Sequence, residues 1–175
     1  MPHIDTHGHL DRLQIVELTP IDEINEKCRV KMHSKFRGVI ACLAWPKYFQ
    51  AREPPNNVIE YFRNLKNDYV LGYQVGFHPG SCDEYTRQGL LDHYERITNK
   101  GCNVLAIGEC GLDESKPIAM DLQEAVFKDH IIVGHMLGLP MVFHFRGLSC
   151  LNKAFDILKV CFLIIFLFYS NRKMR

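Results

Sequence analysis

The sequence has little net charge, no paired-cysteine motif, no apolar run long enough to span a bilayer and no internal repeat. Each absence narrows what the chain can do. Net charge is +1 over 175 residues, so no global field argues for a stable nucleic-acid complex or for binding to a membrane surface. A phosphodiester substrate stays open, because bound divalent cations supply positive charge locally. The seven cysteines (28, 42, 82, 102, 110, 150 and 161) are odd in number and contain no Cys-x-x-Cys pair. A disulfide scaffold is therefore not expected, and reduced thiols in a cytoplasmic or nuclear setting fit better. The first residues, MPHIDTHGHLD, lack a basic segment followed by an apolar core, so no secretory signal is read there.

The longest apolar run, Val160 to Tyr169, is ten residues, against the roughly 20 that a membrane helix needs. Extending it backward takes in Asp156 and Lys159, both costly inside a bilayer. The run reads as a tail anchor, as a buried strand, or as a stretch outside the fold's own sequence. We prefer the third reading, which places a domain at 1–158 and an apolar tail of unassigned role at 159–175. The sequence assigns no oligomeric state.

A hydrophobic content of 47% with 23% charged residues suits one soluble domain with a sizeable core. Short apolar runs alternate with longer amphipathic ones. Strands are expected near 3–8, 38–44, 70–77, 103–109 and 140–145. Helices are expected near 20–34, 55–66, 84–99 and 119–138, with a fifth starting near Leu148. Val104 to Gly108 is almost wholly apolar, as expected of a strand covered on both faces. Strict alternation of strand and helix predicts parallel βαβ units.

The chemistry-bearing residues gather at the ends of these strands. Asp5, His7 and His9 alternate along the first strand and so share a face. His78 follows the third strand, Glu109 the fourth, and His144 and Arg146 the fifth. In a parallel α/β fold the carboxyl ends of strands face one side, where ligands bind. Each residue alone has an ordinary explanation: a strand-end histidine is commonly structural, and an acid flanked by glycines can cap a turn or helix. Together they supply imidazoles and a carboxylate that could hold divalent metal, plus a guanidinium able to grip a phosphate. His3, His33, His93, His130 and His135 are assigned ordinary roles, and so are the cysteines, Cys110 being the one placed by its neighbour Glu109 within reach of the site.

Four blocks, IDTHGHLD (4–11), GFHP (76–79), AIGECGLD (106–113) and PMVFHFRG (140–147), resemble the TatD family of metal-dependent hydrolases. The resemblance implies an α/β, TIM-barrel-type fold. It also implies a pair of divalent metal ions (Mg, Mn or Zn) and hydrolysis of nucleic-acid phosphodiester bonds, with DNA as substrate. Carried over, His7 and His9 bind one metal, Glu109 bridges the two as the catalytic carboxylate, and His144 binds the second. His78 and Arg146 contact substrate, and Asp5 orients the first-strand ligands. The family pattern continues with another ligating His and a late Asp. Here no His follows His144, and the one later acid is Asp156. The expectation is thus an incomplete barrel of about five of the eight βα units, whose activity as a deoxyribonuclease is in question.

The alternative is a non-catalytic partial barrel that binds metal, or an interaction protein anchored by its tail. A third possibility, an amidohydrolase-type enzyme, also opens with His-x-His. It commonly bridges its metals with a carbamylated Lys, and no Lys falls at an expected strand end.

Overall fold

The computed structural model describes residues 3–20, 22–24, 26–27, 35–46, 61, 63–65 and 68–172, with side chains through 163. Five strands, β1 (His3–Gly8), β2 (Phe36–Leu43), β3 (Val70–Val75), β4 (Val104–Asp113) and β5 (Met141–Arg146), form one sheet in sequence order. All four pairings are parallel. The sheet curls into half of a barrel, with helix α1 (Arg87–Asn99) connecting β3 to β4, α2 (Met120–Leu137) connecting β4 to β5, and α3 (Leu148–Arg172) following β5. The expected fold class and strand–helix alternation are therefore found.

Alternation along the strands sorts core from site. Ala41 and Leu43 of β2, with Tyr73 and Val75 of β3, point outward into a cluster with Leu90, Ile97 and Val133 of the helices. The residues between them, Cys42 and Gln74, pair in register and point inward, where both reach groups of the site. β4 departs from simple alternation. Its register with β5 shifts between Ile107 and Cys110, an irregularity of the kind that re-aims side chains near active sites. Ile107 faces the first cluster, and Cys110 and Leu112 face a second one with Phe127 and Ile131. Glu109 and Asp113 consequently point inward. Cys110, although next to Glu109 in sequence, faces away from the site into the apolar cluster, its Sγ 3.8 Å from the Val142 carbonyl.

β4 runs four residues beyond the expected end at 109, because Cys110 to Asp113 pair with Phe143 to Arg146. Gly111 permits this pairing. Its φ is +150°, and a Cβ there would fall on the backbone of His144. Gly111→Ala is expected to cost about 2 kcal/mol or more through strain and strand separation. Urea denaturation would measure it, and a variant as stable as the parent would show that the two strands tolerate being pushed apart.

α1 starts at Arg87 rather than near 84, because the Thr86 hydroxyl accepts the Gly89 N–H at 2.9 Å as an N-cap. Pro79–Glu84 forms a separate 3-10 turn before it. Residues 22–24, 26–27, Tyr61 and Arg63 are helical where helices near 20–34 and 55–66 were expected, while Pro20, Asn64 and Leu65 are not helical; the other residues of both spans lie outside the described residues. The apolar run 160–169 belongs to α3, which passes Lys159 without a break, so it is not a strand. Cys150, Ala154, Ile157 and Cys161 are buried at helical spacing and pack on the second cluster. Among the described residues, no helix is long and apolar enough to cross a membrane.

Candidate metal centre

The inward residues of β1, β4 and β5 converge with His78 on one carboxylate. Glu109 is 4% exposed, and its two oxygens face different partners. Oε2 lies 2.6 Å from His7 Nε2 and 3.4 Å from His9 Nε2. Oε1 lies 2.9 Å from His144 Nδ1 and 3.3 Å from His78 Nε2. Two ligands about 2.0–2.2 Å from one ion, at angles between octahedral and tetrahedral, sit about 3.0–3.4 Å apart. The 3.3 and 3.4 Å separations fall in that range and the 2.9 Å one at its edge, while His7, at a hydrogen-bond distance of 2.6 Å, must move out by about half an ångström to share an ion with Oε2; one carboxylate oxygen is then available to each of two sets.

The far nitrogens of the rings support the same assignment. A ligating histidine normally gives its other N–H to a carboxylate or amide. His144 Nε2 lies 3.1 Å from Asp113 Oδ2 and His9 Nδ1 lies 3.7 Å from Asp11 Oδ1. His7 Nδ1 meets the Gln74 amide at 2.6 Å, while Gln74 Oε1 is buried without a hydrogen-bond partner. A half-turn of that amide brings the orphaned oxygen onto Nδ1–H and leaves the Nε2 lone pair facing Glu109. His78 is different. Its Nδ1 accepts the Gly80 N–H at 2.9 Å, so the ring proton sits on Nε2. His78 is therefore a hydrogen-bond donor into the site rather than a ligand.

The electrostatics follow from this packing. Burial alone would raise the Glu109 carboxyl, but hydrogen bonds from His144 and His9 and nearby imidazoles outweigh it and hold the group well below the usual carboxylate range. His9 is pushed up to about 9, chiefly by Asp11 and then by Glu109, and His144 is raised chiefly by Glu109. Burial lowers His78 to about 4, which keeps it neutral at pH 7. Without metal, the carboxylates hold protons on His9 and His144; a cation competes for the same places.

An open cleft of about 390 Å³ lies above the cluster, with Arg12, Val16 and Trp45 completing its wall. Trp45, half-buried after β2, stacks on His78 with ring centroids 4.5 Å apart and planes 19° from parallel. Thus the structure brings together His7, His9, His78, Glu109 and His144. Asp5 Oδ1 accepts the backbone N–H of His7 at 3.0 Å, touching the strand rather than an imidazole. Arg146 is exposed at the end of β5 and is not among the residues lining the cleft. Sequence reasoning missed Asp113, Asp11, Gln74, Cys42, Trp45 and Arg12. Asp113 had a usable signal, since it lies two strand periods from Glu109; Cys42 and Gln74 had none, being single inward positions in apolar strands.

Comparison with known proteins agrees with this geometry. Residues 4–161 match the TatD related DNase family. An uncharacterized metal-dependent hydrolase of Buchnera aphidicola is 28% identical over 158 residues, covering 83% of this chain and 53% of the relative. A second, from Bacillus subtilis, is 30% identical over 145 residues, covering 81% and 50%. The chain thus spans about half the length of these curated relatives. Among solved structures, a TatD homologue from Escherichia coli superposes with a TM-score of 0.62 at 20% identity, covering 90% of this chain and 55% of the other. A TatD family hydrolase from Entamoeba histolytica gives 0.63 at 19%, covering 92% and 55%; these two show the fold. With four motif blocks, the strand order and the matched span in agreement, the chain belongs to the TatD-related DNase family.

Proposed function

We propose that this chain carries the metal centre of a divalent-metal-dependent hydrolase of nucleic-acid phosphodiester bonds, with DNA as substrate. The observation that carries the reading is Glu109, whose Oε2 faces His7 and His9 and whose Oε1 faces His144, as a bridging ligand requires. Divalent ions held there would lower the pKa of bound water and neutralise phosphate charge. The chain's own groups supply positioning. The neutral His78 donates its Nε2–H to a phosphate oxygen. Arg12 grips a second oxygen as a guanidinium fork, and Trp45 offers an aromatic face to a base. Arg146 can meet substrate only outside the cleft. The seven cysteines, odd in number and without a Cys-x-x-Cys pair, fit a reducing compartment such as cytoplasm or nucleus.

The test is cleavage of a single-stranded DNA oligonucleotide with Mg²⁺, Mn²⁺ or Zn²⁺, and with chelator. Metal-dependent cleavage is expected. Trp45→Ala should raise KM about 10-fold with a smaller change in kcat, since base stacking is worth about 1–3 kcal/mol. Folded protein that binds metal and leaves DNA intact would instead support a non-catalytic, metal-binding partial barrel.

A further inference from the structure

We propose that Cys42 is itself a metal ligand, completing with His7, His9 and Glu109 a nitrogen–oxygen–sulfur set that prefers Zn²⁺ to Mg²⁺ or Mn²⁺. The inference rests on the metal-centre reading above and adds to it a donor that no motif of the sequence indicated.

Cys42 is fully buried on β2, in the inward layer with Gln74. Its Sγ lies 4.0 Å from Glu109 Oε2, the same oxygen that His7 and His9 face. Donor atoms of these four residues all lie within 4.8 Å of one another. A zinc–sulfur bond of about 2.3 Å and a zinc–oxygen bond of about 2.0 Å, at a tetrahedral angle, separate sulfur and oxygen by about 3.5 Å. A shift of about half an ångström therefore makes the pair ligands of one ion. Two imidazoles, a carboxylate and a thiolate are a borderline-soft set that Zn²⁺ fills and Mg²⁺ does not.

Abundance of cysteine does not explain this placement. Cys110 is next to Glu109 in sequence yet turns to the opposite face, into an apolar cluster. Around Glu109 Oε1, among the described residues, the neighbouring groups are the ligand His144 and the hydrogen-bond donor His78, with no sulfur. The two sides of the carboxylate thus differ in softness. On coordination the thiol proton leaves to solvent and the sulfur donates a lone pair; nothing is oxidised.

The experiment loads the metal-free full chain with Co²⁺ alone and records its absorption spectrum. A thiolate ligand gives a near-ultraviolet charge-transfer band beside the visible d–d bands. The wild type should show both. Cys42→Ser should keep the d–d bands through His7, His9 and Glu109, lose the charge-transfer band, and bind Zn²⁺ more weakly by at least the roughly 10–100-fold that loss of an outer-shell partner costs, so that the preference for Zn²⁺ over Mg²⁺ falls. Cys42→Ala serves the same purpose if the serine variant does not fold, with circular dichroism as the check. Visible bands without charge transfer in the wild type, or a charge-transfer band that survives Cys42→Ser, would overturn the role of Cys42 and leave the metal centre standing. Folded wild type that takes up no Co²⁺ would overturn both.

Discussion

Glu109→Ala is expected to abolish divalent-metal binding, and with it any metal-dependent cleavage. The side chain is shared by both donor sets, so its removal deletes one ligand from each at once. It also leaves His7, His9, His78 and His144 facing one another without a counter-charge, a further penalty on placing a dication among them. Loss of an outer hydrogen-bond partner costs about 10–100-fold in metal affinity, and loss of the shared ligand should exceed that range. Thermal unfolding gives a readout independent of activity. A metal at 100 times its Kd stabilises the folded chain by about 2.7 kcal/mol, which for a domain of this size raises Tm by about 5–10 °C. Wild type should show that rise with Zn²⁺ or Mn²⁺; Glu109→Ala should show none, and Glu109→Gln, which keeps one acceptor oxygen, only part of it. An undiminished rise in Glu109→Ala would place the metal elsewhere.

Much of this centre could be read before any coordinates. Period-two alternation puts His7 and His9 on one face of β1, and the parallel sheet brings Glu109 and His144 to the same end. What could not be read depends on register and on inward-facing positions. In β2 and β3 both faces are covered, so Cys42 and Gln74 sit in apolar runs where nothing local separates inside from outside. The irregularity between Ile107 and Cys110 changes the parity of β4. Counting from the apolar run therefore fails to predict that Asp113 reaches His144 while Cys110 turns away. The run 160–169 illustrates a different limit, because a short unbroken apolar stretch has no period by which to tell strand from helix. Its continuity with Cys150, Ala154, Ile157 and Cys161, spaced along one helical face, resolves it.

Acid should destabilise this fold in a way that one substitution can isolate. His130 of α2 is fully buried and uses both ring nitrogens in the neutral form. Nδ1–H donates to the Val126 carbonyl at 2.8 Å, and Nε2 accepts the Phe77 N–H at 3.1 Å. Protonation at Nε2 would set one N–H against another at a fully buried position. Burial accordingly lowers its pKa to about 4, against about 6.5 in the unfolded chain.

Because the folded pKa is the lower one, the contribution to stability is complete above pH 6.5 and is lost progressively as pH falls toward 4. By pH 5 the loss is about 2 kcal/mol. His93, lowered by burial to about 3, acts in the same sense. The raised pKa values of His9 and His144 act oppositely, adding stability below pH 6.5 that is lost as pH rises through their folded values. The whole-protein profile is therefore a sum, and a difference is needed. His130→Gln keeps an acceptor for Phe77 and does not titrate. Its urea midpoint should fall less than that of wild type between pH 7.5 and pH 5, by the equivalent of about 2 kcal/mol. Parallel profiles would mean that His130 is not held neutral. A steeper wild-type profile would tie the acid limit of the fold to the residue that holds Phe77, and so to the turn that presents His78 to the candidate metal centre.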